Sequence, residues 1–183
     1  MAAHPHSVFC NIDQCGINRE VMSQRTLAPV GVRQIHRVVQ PSSSLTHSCT
    51  VVPVLYADRT LGEKLFVVLA EPDGRFPQSG YWSAPHLCVV AGTSHITPKD
   101  QVPSLISKCV MSGTCPTTTI ALLDSWPGFK DHASILSGVP PGKHLKAMTV
   151  PTGATALCQP LDGYFFSAFQ TIYSTYTRKR CVH

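Results

Sequence analysis

Two apolar segments of this chain each end in an aspartate, and this pattern constrains the fold more than any other feature. Ser7 to Asp13 reads S-V-F-C-N-I-D, and Thr119 to Asp124 reads T-I-A-L-L-D. Short apolar runs of this kind are typical of buried strands, and open α/β sheets carry functional groups at the carboxyl ends of their strands. A third aspartate, Asp162, follows Pro160 at the predicted start of an amphipathic helix. The sequence therefore predicts an α/β fold with three carboxylates at the ends of its elements.

These three carboxylates are candidates for a metal site. The chain has only 10 acidic residues among 183, so their place at element ends is hard to attribute to solubility. Carboxylate oxygens are the ligands of hard divalent cations. Two ordinary structural roles stay open, because an aspartate after a strand often begins a turn and one in the first turn of a helix is often only a favourable charge.

Four stretches of the sequence carry a resemblance to a known family. They are N-I-D-Q-C-G-I-N-R-E-V-M-S-Q-R-T-L (Asn11 to Leu27), T-H-S-C-T-V-V-P-V-L-Y-A-D (Thr46 to Asp58), A-L-L-D-S-W-P-G-F (Ala121 to Phe129) and V-P-T-G-A-T-A-L-C-Q-P-L-D-G-Y-F-F (Val150 to Phe166). In this order they resemble the catalytic domain of DDE-superfamily transposases, on the pogo/Tigger side of the mariner group. The N-x-D-Q-x-G start and the Q-P-L-D-x-x-F-F element are the most specific parts of the match.

The resemblance implies a fold and a chemistry. It implies a ribonuclease-H-like mixed sheet flanked by helices over residues 7–180, with short tails at 1–6 and 181–183. Asp13, Asp124 and Asp162 would be the catalytic residues and would bind two Mg²⁺ or Mn²⁺ ions, as in two-metal cleavage of phosphodiesters. The implied activity is metal-dependent cleavage and transfer of DNA strands, and the implied location is the nucleus.

Basic residues are the candidates for contact with the DNA backbone. The net charge of +5 is compatible with a polyanionic partner but does not require one. The candidates are Arg19, Arg25, Lys130, Arg178, Lys179 and Arg180. Phosphate contacts of this kind give affinity without sequence information. For the last three residues, a solvated helix end stabilised by the helix dipole is the alternative.

Departures from the family pattern keep other functions open. Similar sequences begin with a helix-turn-helix region, which we do not expect here because only a short tail precedes Ser7. Ser125 stands where many relatives carry Asn. The alternatives are a catalytically inactive or truncated transposase derivative that only binds nucleic acid, and an expressed relic without function. Homo-oligomerisation stays open.

The remaining composition argues for free thiols and against a membrane protein. None of the 8 cysteines forms a C-x-x-C pair, so we expect buried free thiols rather than a zinc site or disulfides. No apolar run approaches the roughly 18 residues that a membrane helix needs.

Hydrophobic periodicity and the positions of Gly and Pro predict the secondary-structure elements. We predict strands at Val8–Asp13, Ser48–Ala57, Leu65–Ala70, Val89–Gly92, Ile120–Asp124 and Lys146–Val150, helices at Pro103–Met111 and Asp131–Ser137 and from Pro160 onward, and a hairpin at Met22–Val39. The second and third strands form an antiparallel pair. The last helix has one apolar stripe, formed by Leu161, Phe165, Phe166, Phe169, Ile172, Tyr173 and Tyr176.

Overall fold

The computed structural model describes residues 7–17, 30, 49–94, 96–113, 115–151, 153–154 and 159–180, with side chains up to residue 176. The predicted hairpin at Met22–Val39, apart from Val30, and both tails lie outside the described residues, as do Arg19 and Arg25. The described strands are β1 Ser7–Ile12, β2 Cys15–Ile17, β3 Cys49–Val52, β4 Val54–Tyr56, β5 Leu65–Ala70, β6 Leu87–Gly92, β7 Thr118–Leu123 and β8 His144–Thr149. The α-helices are α1 Val102–Leu105, α2 His132–Ser137 and α3 Phe166–Arg180. The chain is therefore a mixed α/β protein, as predicted.

The first sheet has the strand order β4-β1-β7-β8. In it β1 runs parallel to β7, with Ile12 opposite Leu123. Strand β8 is parallel to β7, and β4 is antiparallel to β1. Because parallel neighbours end at the same edge, the residues that follow β1 and β7 lie side by side.

The second sheet, with the order β2-β3-β5-β6, continues the same chain segments. Only Asp13 and Gln14 separate β1 from β2, and only Pro53 separates β3 from β4. Proline interrupts the ladder because it has no N–H to donate. Strand β3 pairs antiparallel with β5, which confirms the predicted pair.

Alternate residues of these strands face two separate apolar cores. The larger core holds Phe66, Leu105 and Phe129, all at most 1% exposed, and packs α1 and α2 against one face. The smaller core, on the opposite face, packs Leu161 and Phe166 against the second sheet. Side chains of a strand point to opposite faces in turn, so α1 and α2 cover one face and the last helix covers the second sheet on the other face.

Helical structure at residues 99–110 and 132–137 follows the predicted positions. A 3-10 turn at Lys99–Gln101 and a π-helical turn at Ile106–Val110 extend α1 on either side. Pro103 lies in its first turn, where a missing N–H costs nothing. Helix α2 follows Asp131, whose side chain accepts a hydrogen bond from the Ser134 N–H at 3.1 Å. That contact is an N-cap.

The last helix departs from its predicted stripe. Ile172 and Tyr176, two members of the predicted stripe, are 70% and 59% exposed, whereas Phe165, Phe169 and Tyr173 pack against the smaller core. The helix opens with a π-helical turn at Leu161–Phe165, which changes the spacing of the residues that face the sheet. Tyr173 is the last residue packed against the smaller core, so the helix extends beyond the apolar surface that it covers.

The described cysteines are free, as predicted. Burial raises the pKa of the Cys10 and Cys109 thiols to about 12, so both stay protonated and act as small apolar side chains. Within the described part of the chain, no helix combines the length and the apolar character that a membrane span requires.

Candidate carboxylate site

The fold brings two of the predicted site residues to one edge of the first sheet. Asp13 follows β1 and Asp124 follows β7, directly after the paired residues Ile12 and Leu123. The strands that end at these aspartates are neighbours in the first sheet. The two carboxylates come from positions 111 residues apart and reach the same edge because β1 and β7 are parallel.

Asp162 approaches this edge from the start of the last helix. It lies in the π-helical turn before α3, and its carboxylate is within hydrogen-bonding reach of Asp13. It also acts electrostatically on Asp124. Asp13 is only 4% exposed, Asp124 is half-buried and Asp162 is exposed. The three aspartates therefore form one cluster that is buried at one side and open to solvent at the other.

The cluster concentrates negative charge in a partly desolvated place. Burial raises the pKa of Asp13 to about 7, a hydrogen bond from the Gln14 N–H at 2.7 Å opposes that rise, and the charges of Asp162 and Asp124 add to it. The pKa of Asp124 is also raised, mainly by burial, against a hydrogen bond from the Trp126 N–H at 3.1 Å. A nearby cation would favour the ionised form of both groups.

Two buried amide side chains tie the helix start to the strand ends. Gln159 is 2% exposed. With its side-chain amide assigned so that both polar neighbours are satisfied, the nitrogen donates to Asp13 Oδ2 at 3.1 Å and the oxygen accepts from the Asp124 N–H at 3.1 Å. Asn11 Oδ1 accepts from the Leu161 N–H at 3.3 Å, and Asn11 Nδ2 donates to the Leu122 carbonyl at 3.3 Å. Both amides lie in segments that carry the family resemblance, yet the sequence analysis gave neither a role. A polar residue inside the apolar run before Asp13 is the signal that could have marked Asn11.

The loop after β7 is held by an aromatic contact. The rings of Trp126 and Phe129 lie 5.0 Å apart, edge to face at 82°. A Cβ atom on Gly128 would come within 1.8 Å of the Trp126 ring, so only glycine fits at this position. Trp126 therefore packs beneath the loop and supports the backbone that holds the Asp124 carboxylate.

Of the candidate basic residues, Lys130 and the three at the end of α3 lie in the described part of the chain. Lys130 is exposed at the end of the loop after β7. Arg178, Lys179 and Arg180 form the last residues of α3. At 1.5 Å per residue, Arg178 lies about 24 Å from Asp162 along the helix. Contact of these residues with DNA stays a prediction.

Two cavities are described, and the three aspartates line neither of them. A cavity of about 720 Å³ is lined by residues 71–73 and 75–78. A second, of about 280 Å³, is lined by Tyr56, Asp58 and Cys115 among others.

The donor set fits a hard divalent cation, although the side chains do not surround one as they stand. Among the described residues, no group of three His, Cys, Asp or Glu side chains is arranged to hold a metal ion. The cluster nevertheless offers only oxygen ligands, which Mg²⁺ and Mn²⁺ prefer, and its buried member has a raised pKa that a cation would relieve. Asp162 is exposed, so its side chain has room to adopt another rotamer.

Comparison of the chain with protein-family models, with curated proteins and with solved structures gave no match.

Proposed function

We propose that this chain is a metal-dependent DNA endonuclease domain of the DDE superfamily, which cleaves and joins strands. The observation that carries the proposal is the meeting of Asp13, Asp124 and Asp162 at one edge of the sheet. Three carboxylates that come from two parallel strands and a helix start, with a raised pKa in the buried one, form a site that needs positive charge. A structural role in turns and caps would not require them to meet.

The sheet arrangement supports the ribonuclease-H-like fold that belongs to this proposal. Strand β1 has the parallel β7 on one side and the antiparallel β4 on the other, and helices pack on both faces of the second sheet. This mixed arrangement is compatible with a ribonuclease-H-like core.

Each aspartate has a distinct role in the proposed site. Asp13 and Asp124 would hold the cations from the strand ends, and Asp162 would complete the ligand set from the helix. When bound, a pair of Mg²⁺ or Mn²⁺ ions supplies stabilisation of the charge on the attacking and leaving oxygens. The chain contributes orientation, because the N–H groups of Gln14 and Trp126 each hold one carboxylate oxygen.

The proposed substrate is duplex DNA that lies across the edge of the sheet where the three aspartates meet. Lys130 and the basic end of α3 would contact phosphates on either side of the carboxylates. The distance of about 24 Å along the helix equals about seven base pairs of duplex at 3.4 Å each. Binding through these residues would not depend on sequence and would weaken steeply with salt.

The decisive experiment is nicking of supercoiled plasmid in Mg²⁺ or Mn²⁺ buffers. Asp124→Ala should abolish nicking without unfolding the chain, which circular dichroism would check. Asp58→Asn is the matched control, because Asp58 follows β4, which is antiparallel to β1, and so lies at the opposite edge of the sheet. Equal activity in the wild type and Asp124→Ala would contradict the proposal.

A second candidate is a non-catalytic nucleic-acid-binding derivative of such a domain. It is favoured by the finding that no three of the described acidic, His or Cys side chains are placed to hold an ion. This candidate predicts no metal-dependent nicking, but binding to two unrelated duplexes with equal affinity and a strong dependence on salt. Replacing Arg178, Lys179 and Arg180 by Ala should then weaken both complexes equally.

A further inference from the structure

Gln159 lies between the two strand-end aspartates and contacts both. Its amide nitrogen donates to Asp13 Oδ2 and its oxygen accepts from the Asp124 N–H, each at 3.1 Å. The residue is 2% exposed, so water does not compete for these bonds. A side chain that only filled space would need neither the donor nor the acceptor.

We propose that Gln159 is a positioning residue, which fixes the orientation of the Asp13 carboxylate and its distance from Asp124 so that both can share a cation with Asp162. The inference rests on the function proposed above, since it names a residue that would prepare the same site. Gln159 itself would not touch the cation or the DNA. It would act through Asp13.

The hydrogen bonds around Asp13 explain how an amide can do this. The Gln14 N–H holds Oδ1 at 2.7 Å and Gln159 holds Oδ2, so the carboxylate is fixed at both oxygens. Each oxygen of a carboxylate has two lone pairs, so one on each stays available for a cation. Partners that orient metal ligands in this way typically change metal affinity 10- to 100-fold when they are removed.

A second glutamine, Gln170 within α3, provides a control for Gln159, which lies just before the helical region. Gln170 Nε2 donates to Cys15 Sγ at 3.2 Å, which ties α3 to β2 without contact to an aspartate. Gln159 and Gln170 therefore both attach the helix to a strand, but only Gln159 holds a carboxylate. If attachment of the helix were the whole role of Gln159, the two residues should behave alike.

The first measurement is Mn²⁺ binding, followed by the EPR signal of free Mn²⁺, in the wild type, Gln159→Met and Gln170→Met. We expect Gln159→Met to bind Mn²⁺ at least ten-fold more weakly and Gln170→Met to stay within two-fold of the wild type. Equal affinity in the wild type and Gln159→Met, or equal losses in both variants, would overturn the inference. If Gln159→Met does not fold, Gln159→Glu replaces it at pH 8, where an ionised glutamate cannot donate to Asp13.

The second measurement separates this inference from the proposed function. Crystal structures of the metal-free wild type and both variants would show the orientation of the Asp13 carboxylate. We expect it to turn away from Asp124 only when residue 159 cannot donate. An unchanged orientation would overturn the inference. If the wild type binds no Mn²⁺, the proposed function fails, and the crystal structures alone then decide the role of Gln159.

Discussion

Ile12 and Asp13 are adjacent in sequence and almost equally inaccessible, at 0% and 4% exposed, but they belong to regions with opposite energetics. Ile12 belongs to the larger apolar core, where removal of a side chain from water stabilises the fold. Asp13 begins the carboxylate edge, where burial raises its pKa to about 7. The apolar residues of β1 therefore stabilise the fold up to Ile12, and burial of the Asp13 carboxylate, directly after the strand, destabilises it.

This difference teaches that the carboxylate edge is not an extension of the core. Hydrogen bonds from Gln14 and Gln159 satisfy Asp13, yet they do not remove the repulsion from Asp124 and Asp162. Natural proteins tolerate such local costs where a site requires them. The following predictions test whether substitutions in the two regions change the free energy of unfolding in opposite directions. They also test whether the two regions respond differently to pH and to metal.

The largest effect is expected in the apolar core. Phe66 is fully buried at the centre of the larger core, and Phe66→Ala should lower the free energy of unfolding by about 3–5 kcal/mol. Urea unfolding at pH 5 and at pH 8 would measure it. Because no charge is involved, the loss should be the same at both pH values. A loss that changed between them would mean that the core and the carboxylate edge are not independent.

The second prediction is that a substitution at the carboxylate edge raises the free energy of unfolding instead of lowering it. The pKa of Asp13 is about 7 in the folded chain and 3.8 as its ordinary value, so the folded state binds more protons between these two pH values. The free energy of unfolding should therefore fall as pH rises from about 4 to 7 and stay low above 7. Asp13→Asn cannot ionise, so it should remove this fall and be more stable than the wild type at pH 8 by roughly 4 kcal/mol. Urea unfolding from pH 4 to pH 8.5 would show it.

Asp58→Asn is the control for this pH dependence. Hydrogen bonds from Thr60 lower the pKa of Asp58, so its titration lies below the pH window in question. Its unfolding curve should therefore follow the wild type from pH 4 to pH 8.5. If Asp13→Asn were less stable than the wild type at pH 8, its hydrogen bonds would outweigh the cost of its charge.

These contrasts also show which parts of the molecule its sequence can predict. The apolar runs before Asp13 and Asp124 predict β1 and β7, because short buried strands have a strong local pattern. Their adjacency depends on a crossover more than 100 residues long, which no local pattern encodes. The convergence of the aspartates therefore needed the family resemblance as an expectation and the structure as its test.

The other features of the site could not be predicted from the sequence for a different reason. The bridge made by Gln159 depends on two hydrogen bonds to residues far away in the chain, and a glutamine in a loop carries no signal of its own. Ile172 and Tyr176 share the apolar spacing of the last helix and are nevertheless 70% and 59% exposed. The apolar period shows which face of a helix is apolar, but it does not show where the core surface that packs against that face ends.

The third prediction concerns the response to metal. Mg²⁺ that binds the folded carboxylate cluster and not the unfolded chain should stabilise the protein by about 1.4 kcal/mol at ten times its dissociation constant. The shift in melting temperature should be larger at pH 8 than at pH 6, because protons compete with the cation for Asp13. Asp13→Asn should reduce it, and Phe66→Ala should not. No shift at millimolar Mg²⁺ in a folded protein, with NaCl at equal ionic strength as the reference, would favour the non-catalytic candidate.

The smallest effect is expected at an aspartate that belongs to neither region. Asp131 caps α2 through the Ser134 N–H at 3.1 Å, and its carboxylate is not among the charges that act on Asp13 or Asp124. Asp131→Ala should therefore cost about 1 kcal/mol through loss of the cap, as measured by urea unfolding, and should leave the Mg²⁺ response unchanged. Asp124→Ala, in the same chain segment, should abolish that response. If both variants reduced the response equally, the stabilisation by Mg²⁺ would be a general effect on surface carboxylates, and the difference between the carboxylate edge and the rest of the molecule would disappear.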